Sequence, residues 1–235
     1  MFSSTQDLYD AVYSWKDYPR EARILQREIA RAGIAEGASL LDVACGTGGH
    51  IPHLRFAYDV EGMDLDPGML EIAREKNPGI AFHRGDMSDF DLGKKFDIVA
   101  CLFSSIAYTR TPDRLAAAIT AMAKHLKPSG VMFLEPFIPP EKWAEYTPNG
   151  QYADQPRGSK IARMIYSERS GNEVVMTFHY LISRSEGVAY LNERHEIGLF
   201  SDADYQSAFS AAGLIARHDN EGLMGRGAYT ARFAS

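Results

Sequence analysis

The residues with the clearest chemical potential lie in one stretch, Leu40–His50, which reads LLDVACGTGGH. An apolar run delivers Asp42 and Ala44, and Gly46 and Gly48 then bracket Thr47. Glycine lets the main chain turn without a Cβ clash and lets a ligand approach the backbone closely. Asp64 stands 18 residues beyond Gly46, at the end of a second apolar run, with Leu65 after it. A carboxylate there can accept both hydroxyl hydrogens of a ribose diol. Asp86-Met87 follows a third such run, where a nucleobase edge would lie. This combination points to a cofactor that contains a nucleoside. It does not fit a nicotinamide dinucleotide, whose fingerprint G-x-G-x-x-G requires glycine or alanine at position 51, where this chain has Ile51. No triphosphate-binding G-x-x-x-x-G-K-[ST] loop occurs.

Other side chains are candidates for the acceptor side. Tyr13 and Tyr18 lie in an N-terminal segment able to cover a cofactor. Tyr13 is a candidate for hydrogen bonding near the reacting group, or else a packing aromatic. Tyr108 falls just after the fourth strand and is placed to face a substrate, or else is a packing aromatic. His179 and His195 are candidate general bases because imidazole titrates near neutrality; each is alternatively a hydrogen-bonded structural histidine. On a regular strand His195 and Glu193 share a face. Arg226, between Gly225 and Gly227, can clamp a diphosphate or form a surface ion pair. Asp86 and Asp89 have no metal partners in the sequence, and no metal site is expected.

The elements that must position these groups alternate. Strands are predicted at Ser39–Ala44, Tyr58–Met63, Ile80–His83, Phe96–Phe103 and Val131–Glu135. Helices are predicted from Asp17-Tyr18-Pro19 to Gly33, from Ile51, and from the cap Asp66-Pro67. A further helix opens at Thr111-Pro112, with Leu115, Ile119, Met122 and Leu126 on one face, and stops at Lys127-Pro128-Ser129-Gly130. Strands alternating with helices form a mostly parallel sheet covered on both faces. Between Gly158 and Phe200 the period becomes two, with turns at Ser170–Asn172 and Ser185–Gly187, which predicts three or four antiparallel strands. Ser201–Asp204 restarts a helix, and Leu214–His218 and Tyr229–Phe233 complete the sheet. The expected architecture is α/β: a seven-stranded, mostly parallel, Rossmann-like sheet with an inserted antiparallel lobe. Its divisions fall at 1–140, 141–200 and 201–235.

Composition bounds the partners. The chain has 235 residues, 45% hydrophobic, enough for an ordinary core, and a formal net charge of −6. A negative chain gets no overall attraction to nucleic acid. Cys45 and Cys101 lack metal-ligand spacing and read as reduced thiols. The N-terminal segment has no basic stretch followed by an apolar one, and no apolar run is long enough to span a bilayer. A cytoplasmic protein without a membrane partner is expected.

The Leu40–His50 segment resembles the first motif of class I S-adenosylmethionine-dependent methyltransferases, and that resemblance covers about Ser39–Glu135. It implies S-adenosylmethionine as cofactor. Gly46, Gly48 and Ala44, behind Asp42, would line the methionine end. Asp64 would hold the ribose, Leu65, Asp86 and Met87 the adenine, and Phe103 or Ser104 would close the site. Further stretches resemble the N,N-dimethyltransferases of nucleotide-linked amino sugars, of the desosamine and mycaminose type, nearly end to end. They are Tyr9–Ala22, Gly85–Phe90, Phe103–Tyr108, Glu135-Pro136, His195–Phe200 and Gly225–Gly227. The resemblance implies a small-molecule substrate bound near Tyr18, Glu135 and Arg226, a cleft partly built by the inserted sheet, and a homodimer. The chain departs from the family at Phe137-Ile138, where relatives carry two tryptophans, and at Leu223-Met224, where they carry Pro-Ser. One relative has histidine in place of Tyr108. These departures fall at substrate positions. They leave N- or O-methylation of another small metabolite, or cofactor binding without catalysis, as alternatives.

Overall fold

The computed structural model describes residues 5–144, 149–155 and 158–234. The start of the N-terminal segment (1–4) and residues 145–148 and 156–157 of the expected insert lie outside these.

Two helices come first, α1 (Gln6–Val12) and α2 (Tyr18–Arg31). The α/β run follows: β1 (Ser39–Val43), α3 (Ile51–Leu54), β2 (Asp59–Asp64), α4 (Pro67–Lys76), β3 (Ala81–Arg84), β4 (Phe96–Cys101), α5 (Pro112–Lys124) and β5 (Leu126–Leu134). Helix starts follow the capping chemistry of the sequence. Asp17 accepts from Arg20 N–H, Asp66 from Gly68 and Met69 N–H, and Thr111 from Arg114 N–H, each with proline in the first turn.

Four antiparallel strands come next: β6 (Asn149–Asp154), β7 (Lys160–Ser170), β8 (Glu173–Arg184) and β9 (Gly187–Gly198). The chain then returns to the core with α6 (Asp202–Ala211), which a Ser201/Asp204 capping box opens, and with β10 (Leu214–Asp219) and β11 (Ala228–Phe233). The main sheet has the order β10-β11-β5-β4-β1-β2-β3. Only β11 runs against the others, pairing antiparallel with both β10 and β5.

Alternation along the buried strands builds two core layers. Leu41, Val43, Val99 and Cys101 pack beneath α5 and α6, against Ile119, Met122 and Phe209. Leu40, Ile98 and Ala100 pack beneath α2 and α3, against Leu25, Ile29, Ile51 and Leu54. The inserted sheet has its own core. Phe178, Tyr180 and Ile182 of β8 and Ile161 of β7 receive Leu8 and Val12 from α1. Val174 and Ile197 meet Ala107, in the short 3-10 turn after β4. Gly198 permits that last contact: a Cβ there would lie 2.5 Å from the Arg110 carbonyl oxygen.

Two expectations change. Leu126 begins β5 instead of ending α5. It pairs with Phe96, while the next registered pair is Val131 with Ile98, so residues 127–130 form an excursion inside the ladder. Leu126 lies one turn past Met122 in sequence, which mimics the helical stripe, but the helix has already closed at His125. The inserted sheet also begins before the predicted range, with β6 pairing along β7. Its Asn-Gly start reads as a turn when seen alone.

Candidate cofactor and substrate site

The strand order reverses between β1 and β4. In open α/β sheets, a crevice for ligands forms at that point, beyond the carboxyl ends of the strands. A cavity of about 550 Å³ opens there. One wall consists of strand ends and loops: Ala44, Gly46, Asp64, Leu65, Asp86, Met87 and Phe103. The opposite wall comes from the inserted sheet, including Arg163, Met176 and Phe178. Tyr9, Tyr13 and Trp15 close it from the N-terminal segment, and Tyr108, Trp143 and Arg226 complete it.

The cofactor loop is held from below. Asp64 Oδ2 accepts Gly46 N–H at 2.8 Å, and its Oδ1 accepts Asp66 N–H at 2.9 Å. Each oxygen keeps further acceptor capacity. Gly46 has φ +56° and open space where a Cβ would be, so the main chain is bare to a ligand. Gly48 (φ +70°) is required for packing, since a Cβ would stand 2.7 Å from Asn77 Nδ2. Thr47 donates to Asp10 Oδ1 at 2.7 Å and Lys76 reaches Asp10 Oδ2 at 2.6 Å, tying α1 to the loop. Burial works to raise the Asp86 carboxyl pKa, but Ser88 N–H and the Arg114 guanidinium outweigh it and hold it below its usual range.

On the other side of the crevice the backbone is strained. Ala44, Phe103 and Ser104 all have positive φ without being glycine. Such residues cost on the order of 1–3 kcal/mol each and persist only where surroundings hold them. Here Phe103 N–H donates to buried Glu135 Oε2 at 2.6 Å, and Ser104 Oγ donates to the Pro136 carbonyl at 2.7 Å. The result aims the Phe103 ring into the cavity. Tyr13 meets it edge-on at 5.2 Å, Lys16 Nζ lies 4.1 Å from its centre, and the Arg226 guanidinium 5.7 Å.

The other sequence candidates fall on both sides of the wall. Tyr108 lines the cavity and its hydroxyl lies 2.7 Å from His195 Nδ1. His195 is fully buried behind it, with Glu193 Oε2 3.7 Å from Nε2. Burial, the largest influence, lowers the histidine pKa and raises that of the tyrosine well above its usual value, so both are neutral at pH 7. Glu135, Asp42 and Tyr18 stand behind the lining; Tyr18 packs edge-on against His50 at 4.9 Å. His179 does not join the site. The β8 pleat turns Phe178 and Tyr180 inward and His179 outward, where its Nδ1 meets the Tyr190 hydroxyl at 2.7 Å. Among the described residues no cluster of three or more His, Cys, Asp or Glu is arranged to hold a metal ion.

Two cations escape a motif reading. Lys16 is buried, paired with Glu21, which also contacts His50 Nε2 at 2.8 Å. Arg163 lies on the inner face of β7. Its one sequence signal is phase: it alternates with Ile161 and Ile165, positions that a purely apolar face would fill.

A bare glycine turn, a ribose-capable carboxylate at the end of the second strand and an open crevice fit an adenosyl cofactor, and they place the protein among the methyltransferases of this fold. Residues 40–130 match the family described as a methyltransferase domain. The dTDP-3-amino-3,4,6-trideoxy-alpha-D-glucopyranose N,N-dimethyltransferase of Streptomyces venezuelae is 39% identical, covering 95% of each chain. The dTDP-3-amino-3,6-dideoxy-alpha-D-glucopyranose N,N-dimethyltransferase of Streptomyces fradiae is 40% identical, covering 95% of this chain and 89% of its own. The S-adenosylmethionine-bound structure of CalS10, an amino pentose methyltransferase from Micromonospora echinaspora, superposes with a TM-score of 0.87 at 35% identity, over 97% of each chain. The chain belongs to the S-adenosylmethionine-dependent N,N-dimethyltransferase family of nucleotide-linked amino sugars.

Asp42 gives a pH prediction. Burial, reinforced by the charge of Asp64 and opposed by Lys16, pushes its carboxyl up to about 7. An unfolded aspartate titrates near ~3.9. Between those values the folded state holds a proton that the unfolded state has lost, so stability falls as pH rises through this window and levels above it. Asp42→Asn removes that slope. In urea denaturation, its stability relative to the parent should grow from pH 4 to 7, by on the order of a few kcal/mol. A difference independent of pH would exclude this reading of Asp42.

Proposed function

We propose that the protein methylates the amino group of a nucleotide-linked amino sugar. The observation that carries this reading is the shared cavity. Its cofactor half is formed by strand ends and its other half by an inserted sheet that supplies a guanidinium. Relatives matched along nearly the whole chain bear names of such enzymes.

S-adenosylmethionine, when bound, supplies a methyl group on a sulfonium, open to in-line displacement by a neutral amine. In this reading Ala44, Gly46 and Phe103 line its methionine end, with Asp42 beneath them, and Gly48, which is packed against Asn77 and does not line the cavity, shapes the turn. Asp64 accepts the ribose hydroxyls, and Leu65, Asp86 and Met87 border the adenine. Tyr13 and Tyr108 orient the amine. With His195 in the tautomer whose Nδ1 accepts, the Tyr108 hydroxyl donates a hydrogen bond to it and keeps oxygen lone pairs to accept an amine N–H. Fixing direction and distance supplies much of the barrier reduction, on the order of 7–11 kcal/mol in favourable intramolecular reactions. No strong base is needed for an amine that is partly unprotonated. Tyr18 and Glu135 support the substrate wall, and Arg226 anchors the diphosphate. Its guanidinium is held by Ser104 Oγ at 3.2 Å and by the Phe103 and Phe137 rings.

A second copy of the chain is the proposed partner. The outer face of the inserted sheet exposes Tyr152, Leu181 and Tyr190 in one cross-strand row, with Met164 and Tyr166 beside it. Monomeric soluble proteins rarely leave a contiguous apolar patch of this kind uncovered. Light scattering at micromolar concentration should give a dimer, and Leu181→Glu should shift it to monomer. A monomeric parent would remove this part alone.

The cofactor assignment is tested by titration calorimetry. Asp64→Ala should weaken S-adenosylmethionine binding about tenfold or more, because hydrogen bonds to a charged group contribute roughly 1.5–3 kcal/mol. An unchanged dissociation constant would count against it.

The substrate assignment is tested by turnover with dTDP-linked amino sugars, following methylated product by mass spectrometry. Arg226→Ala should raise KM for the nucleotide sugar and spare cofactor binding, because it removes ground-state binding. Turnover of a free small amine or alcohol with none of the nucleotide sugars would replace this reading with the alternative acceptor.

A further inference from the structure

One arginine in the cavity wall is buried and forms no ion pair among the described residues. Arg163 is 5% exposed. The pleat of β7 turns it inward with Ile161 and Ile165. Its guanidinium lies between two rings, 5.1 Å from the centre of Tyr13 and 5.2 Å from that of Phe178. Nη2 donates to Gln151 Oε1 at 2.7 Å. Nε and Nη1 are buried and have no hydrogen-bond partner among the described residues.

This arrangement is costly for the protein alone. A guanidinium remains charged at any accessible pH. Buried without an ion pair among the described residues, it recovers only part of its desolvation penalty, from Gln151 and the two rings. The other cavity-lining arginines differ: Arg114 is paired with Asp86 at 2.9 Å, and Arg226 is only half-buried. The side chains around Arg163 hold its plane in place in the cavity wall and leave two of its nitrogens without a partner among the described residues. The carboxylates of the cavity, Asp64, Asp66 and Asp86, belong to the β2 and β3 ends. Arg163 approaches from the inserted sheet, and it and Phe103 both pack on the Tyr13 ring. An anion that meets it therefore comes from the acceptor side.

We propose that Arg163 is a phosphate-binding residue that takes an oxygen of the substrate's diphosphate, so that the inserted sheet selects nucleotide-linked over free amino sugars. The proposal rests on the nucleotide-sugar reading and names the group within the sheet that enforces it. Guanidinium and phosphate form strong charge-assisted hydrogen bonds. The ligand supplies the missing anion, and the stability lost in the empty protein is recovered as binding.

The test is calorimetric titration of dTDP, and separately of thymidine, into protein saturated with S-adenosylhomocysteine. Arg163→Gln should weaken dTDP binding at least tenfold and leave thymidine and S-adenosylhomocysteine binding unchanged. Arg163→Lys, which keeps the charge, should recover part of the loss. Without ligand, Arg163→Gln should melt no lower than the parent, since it removes an incompletely compensated buried charge. Equal dTDP affinity in parent and Arg163→Gln overturns the proposal, as does an equal loss for thymidine, an Arg163→Lys protein no better than Arg163→Gln, or a marked fall in melting temperature. A parent that binds S-adenosylhomocysteine but no dTDP instead overturns the nucleotide-sugar reading, and this one with it.

Discussion

The site depends on the left-handed turn at Phe103-Ser104. A chain leaving β4 in ordinary geometry would not present the Phe103 ring where it is now. Glu135 holds the Phe103 N–H, and the neighbouring Pro136 carbonyl holds the Ser104 hydroxyl. The end of β5 therefore sets the geometry of the loop after β4. The ring becomes the common reference for groups from three separate parts of the chain: Tyr13 and Lys16 before the first strand, Arg226 before the last, and the loop itself. Relaxing the turn would move them all, which is why a buried glutamate is worth its desolvation here. Burial raises its pKa, and the Phe103 N–H works against that rise.

The two halves of the cavity use different physics. The cofactor half relies on main chain, with a bare glycine turn and a carboxylate that already holds two backbone donors. Such a wall changes little when side chains change. The acceptor half relies on side chains from a sheet with its own core, joined to the main body through α1 and the turn at Ser105–Thr109. Recognition on that side can be altered by substitution without disturbing the parallel sheet. Phe137 and Ile138 line the cavity beside this half, and Leu223-Met224 lie just ahead of Arg226.

Much of this was legible in the sequence because local signals agreed with the global fold. Asp66-Pro67, Thr111-Pro112 and Ser201–Asp204 start helices through capping, a local property. Period-two runs gave β7, β8 and β9. What escaped depends on partners distant in the chain. β6 is a strand because β7 pairs with it, and Leu126 is a strand residue because Phe96 lies opposite. Asp64, Asp86, Phe103 and Tyr108, which line the cavity, were readable from their positions at strand ends. Lys16 and Arg163 were not, because neither sits in a motif and each gains meaning from the rings around it. His179 shows the limit of residue type alone: the same strand offers one face to the cavity and the other to the outside.

That division gives β7 a rigid history. Arg163 and Ile165 line the cavity and Ile161 packs beneath α1 on the same face, while Met164 and Tyr166 form the exposed apolar face. A one-residue insertion or deletion would exchange the two faces along the rest of the strand, putting the ligand-facing arginine outside and the outer apolar residues in the cavity. Descendants of this sequence can therefore vary the cavity lining by replacing residues on β7, but not by changing its length. The loops at its ends are where insertions can accumulate.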